Sequence, residues 1–68
     1  MRNRLKVIRA ELNLSQEKLA EKAGISRVTL SEIENGKAEP ESSTVVKLVK
    51  ATGKPANQIF FDFDVMQA

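Results

Sequence analysis

The sequence predicts an all-α domain of five short helices. Three observations carry that expectation. Apolar residues recur at spacings of three and four, glycines fall where the periodic runs stop, and serines stand where the next ones begin. Glycine takes a left-handed helix C-cap without a Cβ penalty, and a serine oxygen accepts the orphan amides of a first turn. Gly24, Gly36 and Gly53 are the stops, Ser15, Ser26 and Ser42 the starts, and Pro40 and Pro55 lie where a helix cannot continue.

The first helix is expected from about Asn3 to Leu12, with Leu5, Ile8 and Leu12 on its apolar face. The second is Gln16–Ala23, with Leu19, Ala20 and Ala23, and the third is Arg27–Asn35, with Leu30 and Ile33. The fourth spans about Ser43 to Thr52 on Val45, Leu48 and Val49, and a short fifth covers about Ala56 to Phe60 on Ile59. Beyond it, Phe61-Asp62-Phe63-Asp64-Val65 alternates with period two, which reads as a short C-terminal strand. A strand alone is not stable, so it needs a partner, either Met1–Asn3 or the same segment of a second copy. A frayed terminus is the alternative. Phe61, Phe63 and Val65 are accordingly the candidate dimer contact. The expected organisation is one domain over residues 1–68, a helical core at 1–60 followed by a tail at 61–68.

Composition bounds the function. A chain of 68 residues buries only roughly 60 % of its unfolded surface, so its stability is marginal. With no cysteine and no histidine it has no disulfide and only carboxylates to offer a metal, which are poor zinc ligands alone. The commonest general base is missing, as is every Ser-His or Cys-His dyad. The glycines sit one per helix end, in neither a P-loop nor a dinucleotide pattern. These features speak against an enzyme, and no cofactor and no metal are expected. There is no apolar run of ~20 residues and no leader-like apolar core, so the expectation is a cytoplasmic chain with no membrane partner. Net charge is +2, but residues 1–37 hold 8 Lys/Arg and 5 Asp/Glu while residues 38–68 hold 3 and 4. A mildly basic N-terminal half suits a phosphate-facing surface, and suits a merely solvated one as well.

The chemistry concentrates between Gln16 and Asn35. Two short helices meet at Ala23-Gly24-Ile25-Ser26, where glycine turns the chain, Ile25 enters the core and Ser26 caps the next helix. Ala20 is small where two helices would cross closely. That is the plan of a helix-turn-helix, in preference to an arbitrary corner of a bundle. At ~100° per residue, Leu30 and Ile33 set the buried direction of the third helix, with Thr29 and Glu34 beside the core. Val28, Ser31, Glu32 and Asn35 then face away, and Arg27 projects from the flank. Such a face can read major-groove edges: Arg at guanine, Val at a thymine methyl, Glu at cytosine N4. A solvated face with one stray valine is the bland reading. Glu34, near the core, needs a partner, and Arg9 is the candidate for a structural ion pair.

Taken together, Leu14-Ser15-Gln16, Leu19-Ala20, Gly24-Ile25-Ser26, Thr29-Leu30-Ser31, Ile33-Glu34-Asn35-Gly36 and Pro40 resemble the phage Cro/C1-repressor type of helix-turn-helix, the xenobiotic-response-element regulator family. The resemblance covers residues 5–60. It implies a five-helix, lambda-repressor-like DNA-binding domain, a sequence-specific regulator of transcription that binds double-stranded DNA as a homodimer, without a cofactor in minimal members. It further implies that Gln16 meets a phosphate, that Ser26, Arg27, Val28 and Glu32 are base-reading positions, and that Asn35 and Lys37 meet the DNA backbone. The chain departs from the pattern at Glu41-Ser42, Thr52, Lys54 and Pro55. Rival readings are the antitoxin half of a toxin–antitoxin pair, with the same DNA-binding module, or a protein-interaction domain without DNA function; a toxin or a co-regulator is the possible protein partner.

Overall fold

The computed structural model describes residues 2–61. Within them the chain forms five helices: α1 (Leu5–Glu11), α2 (Gln16–Ala23), α3 (Arg27–Glu34), α4 (Ser42–Thr52) and α5 (Ala56–Ile59). The all-α expectation holds, and no sheet forms among the described residues.

The helix ends show why the boundaries fall where they do. Asn3 was expected inside α1, yet it precedes the helix: its Oδ1 accepts the Leu5 amide at 3.1 Å and its Nδ2 donates to the Ile33 carbonyl at 2.9 Å. At the other end α1 stops at Glu11 without a glycine. Asn13 takes φ 57°, Leu14 N–H donates to the Arg9 carbonyl at 2.8 Å and Asn13 N–H to that of Ala10 at 3.2 Å. Asparagine tolerates this left-handed turn better than most side chains. The turn rotates Leu12 off the core face, leaving it 38 % exposed, and sends Leu14 onto the core instead. The same pair of bonds closes α2, from Ile25 N–H to Ala20 and from Gly24 N–H to Glu21, with Gly24 at φ 73°.

Ser15 and Ser26 cap as expected, accepting the Lys18 and Thr29 amides at 3.0 Å each. Ser42 does not. It is the first residue of α4, and Glu41, which precedes it, makes no side-chain capping bond. Thr52 is buried, with its Oγ1 donating to the Leu48 carbonyl at 2.7 Å and accepting from Lys54 N–H at 3.2 Å, so a polar residue sits there at little cost.

Leu5, Ile8, Leu19, Ala20, Ala23, Leu30, Ile33, Leu48, Ala51, Ile59 and Phe60 form one core, with Leu14, Ile25, Val45 and Val49 packed against it. Helix α2 lies against both α3 and α4, and α5 against α4. The terminal segments are tied together. Asn3 lies antiparallel to Phe60, Arg4 N–H donates to the Ile59 carbonyl at 2.8 Å and Phe61 N–H to that of Arg2 at 3.0 Å. The N-terminal residues therefore pair with 59–61, a register that begins before the alternating tail. Phe60 is fully buried, whereas Phe61 is 42 % exposed with the Arg2 guanidinium 5.6 Å from its ring centre. Phe63 and Val65 lie outside the described residues.

Candidate nucleic-acid interface

The turn at Gly24 sets α3 against α2 and commits Leu30 and Ile33 to the core. With those two side chains inside, the helix period forces the opposite face outward. Arg27, Val28 and Glu32 are exposed, Val28 at 67 %, and Ser31 is half-buried. Val28 is the most exposed of the large apolar side chains among the described residues, ahead of Val46 at 50 % and Val7 at 48 %. Asn35 and Lys37, just past the helix, are exposed as well.

Thr29 departs from the expected placement. It is exposed, and its hydroxyl oxygen accepts from Ser26 Oγ at 2.8 Å. Ser26 Oγ also accepts the Thr29 amide, so most of its hydrogen-bonding capacity is spent within the turn. Thr29 thereby joins the groups available at the N-terminal end of α3, and sequence periodicity alone had turned it inward.

Glu34 behaves differently from its neighbours on α3. Its side chain has no exposure, and the structure brings Arg9 to it: Nε donates to Oε2 at 2.7 Å and Nη2 to Oε1 at 3.2 Å. Arg9 Nη1 donates in turn to the Leu14 carbonyl at 3.3 Å. A third donor arrives from Gln16, whose Nε2 reaches Glu34 Oε1 at 3.1 Å. Among the described residues no buried side-chain nitrogen or oxygen lacks a hydrogen-bond partner. One carboxylate thus joins α1, the first residue of α2 and the last residue of α3.

Next to Glu34, at the end of α3, Lys6 Nζ donates to Asn35 Oδ1 at 3.3 Å, and Asn35 Nδ2 donates to Ser31 Oγ at 3.4 Å. The Lys6 charge therefore stands at the edge of the exposed α3 face, a neighbour that chain order could not reveal. Arg27, Val28, Thr29, Ser31 and Glu32 lie along α3, Gln16 and Lys6 are tied to its C-terminal end through Glu34 and Asn35, and Lys37 follows just beyond. The assembled surface combines cations, neutral amide donors, one acid and one exposed methyl-bearing side chain. Among the described residues no group of histidine, cysteine or carboxylate side chains has the arrangement of a metal site, and no helix is long and apolar enough to cross a membrane.

Comparison with known proteins places the chain among helix-turn-helix proteins. A model of the helix-turn-helix family matches residues 5–59. An uncharacterised HTH-type transcriptional regulator of Methanocaldococcus jannaschii is 45 % identical over 60 residues, 88 % of this chain and 91 % of that protein. The uncharacterised HTH-type transcriptional regulator YgzD of Bacillus subtilis is 36 % identical over 61 residues, covering 90 % and 92 %. Among solved structures, a hypothetical transcription factor from Neisseria superposes with a TM-score of 0.72 at 26 % identity, covering 91 % of this chain and 74 % of its own.

Proposed function

The chain belongs to the helix-turn-helix family, and from that premise we propose that it is a DNA-binding regulator of transcription that lays α3 in the major groove of a duplex. The single observation that carries this reading is the α3 face itself: Arg27, Val28 and Glu32 stand in solvent on a helix whose other side is locked into the core. Arg27 suits guanine O6 and N7, Val28 a thymine methyl, and Glu32 the amino group of cytosine, with Ser31 serving either base type and Ser26 offering its remaining acceptor lone pair. Gln16, Asn35 and Lys37 fix the register by meeting phosphates on either side of the groove.

One short helix spans only a few base pairs, so useful specificity needs two copies about 34–36 Å apart on a two-fold site. We assign the contact between copies to Phe61, Phe63 and Val65. The exposed ring of Phe61 supports that assignment. Homodimeric binding to a two-fold operator is the full proposal.

Fluorescence anisotropy against a random-sequence duplex at about 50 and 200 mM salt tests the first step. Affinity is expected to fall steeply with salt, because cations that neutralise phosphates release counterions. Selection of bound oligonucleotides from a random pool then tests the second, and a palindromic consensus is the expected product. Absence of salt-dependent binding would remove the DNA reading, and a consensus without two-fold symmetry would remove the dimer.

A further inference from the structure

We infer that Glu34 is a positioning residue for the phosphate contact made by Gln16, so that the buried ion pair belongs to the DNA-binding apparatus as well as to the fold. The inference rests on the DNA reading above. Gln16 is the first residue of α2, and a glutamine there would ordinarily sample several rotamers in solvent. Here its Nε2 is held 3.1 Å from Glu34 Oε1. A carboxamide nitrogen carries two hydrogens, and this bond uses one. The acceptor also settles the orientation of the amide, because only the nitrogen end can face a carboxylate. The second hydrogen is left as a fixed donor beside α3, already ordered before a phosphate arrives, which lowers the entropic cost of that contact.

A bare carboxylate in this place would repel the phosphate. Arg9 prevents that by donating to both carboxylate oxygens, at 2.7 and 3.2 Å, and the Glu34 side chain has no exposure through which to act as a free anion. Arg9 is anchored at its far end on the Leu14 carbonyl, in the turn leading into α2. The three side chains therefore form one unit: Arg9 neutralises and holds Glu34, and Glu34 orients Gln16.

The two roles open to Glu34 predict opposite signs. If it matters to DNA only through its charge, Glu34→Gln strengthens binding, since a negative charge is removed near a polyanion. If it positions Gln16, Glu34→Gln weakens binding by about five-fold, the worth of one ordinary hydrogen bond, because the single carbonyl oxygen stays on Arg9 Nε, the shortest contact, and an NH2 group then faces Gln16 Nε2 in place of an acceptor. The weakening disappears in a Gln16→Ala background, because the oriented group is already gone. Anisotropy titrations of the wild-type chain, both single variants and the double variant against a random-sequence duplex measure all four affinities. Losses that multiply independently, or a gain for Glu34→Gln, overturn the inference. A second measurement needs no variant: in the free ¹⁵N-labelled protein the Gln16 side-chain amide is expected to be ordered, in contrast to exposed Gln58 on α5. Equal mobility of the two amides overturns the positioning role, and it decides the matter should the Glu34→Gln chain not fold. Failure of the wild-type chain to bind the duplex defeats the DNA reading and the inference together, whereas binding with a mobile Gln16 amide defeats the inference alone.

Discussion

Replacing Arg9 with methionine removes two donors from a carboxylate whose side chain has no solvent exposure. Glu34 then keeps Gln16 Nε2 at 3.1 Å as its remaining side-chain partner. Deleting one member of a buried pair costs about 3–5 kcal/mol, because the other charge stays buried and uncompensated. Arg9 itself is 19 % exposed, so some water reaches the site and the lower end, about 3 kcal/mol, is the expected loss. A domain of 68 residues has a total stability of roughly 3–10 kcal/mol, so Arg9→Met leaves a barely folded chain. The double variant Arg9→Met/Glu34→Leu has no charge left to strand, and apolar replacements of buried pairs are commonly neutral or stabilising. It is expected within about 2 kcal/mol of the wild type. Urea unfolding followed by far-ultraviolet circular dichroism gives the stabilities of the wild type, of Arg9→Met, of Glu34→Leu and of the double variant directly. At about 1 kcal/mol per molar urea, Arg9→Met shifts the midpoint by ~3 M. A loss below about 1 kcal/mol for Arg9→Met would mean the pair behaves as a solvent-exposed one, and a double variant as unstable as the sum of the single losses would mean the two residues act independently. Either result refutes the reasoning.

Other substitutions probe the turn, the core and the exposed face. Gly24→Ala should cost about 1 kcal/mol from backbone strain at φ 73° alone, since an added Cβ meets nothing within 4 Å; a fall in Tm of about 4–8 °C per kcal/mol would show it, and Gly24→Asn should lose less. Phe60→Ala removes the largest fully buried side chain and the anchor of the N-terminal pairing, at a cost of about 3–5 kcal/mol; an unchanged urea midpoint would contradict the packing described. Arg27→Ala should cost about 1–3 kcal/mol on the preferred duplex and relax the base preference at one position, whereas Lys37→Ala should weaken all sequences alike and lower the salt slope by about 1; equal losses on every sequence for both would refute the role assignment.

How far the sequence could be read depended on the range of the interactions involved. Helix α2 is legible to the residue because its two ends are local chemistry, a serine cap and a glycine turn. The start of α1 is not, since Asn3 is claimed by partners far along the chain, the Ile33 carbonyl and the Phe60 backbone. Its end is missed for a different reason: Asn13 does the work usually given to glycine, and Leu12 is rotated outward as a result. Thr29 was turned toward the core by periodicity, but an eight-residue helix at a domain edge buries only a narrow stripe. In the interface, the outward set of Arg27, Val28 and Glu32 follows from helical period once Leu30 and Ile33 are inside. The Arg9–Glu34 pairing was also within reach, because an acid near the core needs a base. The bonds from Gln16 to Glu34 and from Lys6 to Asn35 were not, because they depend on how three helices cross rather than on any spacing along one of them.

The most direct test of the account follows backbone amide shifts of the ¹⁵N-labelled chain as a duplex is titrated in. The largest changes are expected at Gln16, at residues 26–32 and at residues 35–37, with the outer face of α4 around Val46 left unmoved. Changes centred on α4 instead, with the α3 face silent, would show that the surface built around Arg27, Val28 and Glu32 is not where DNA binds.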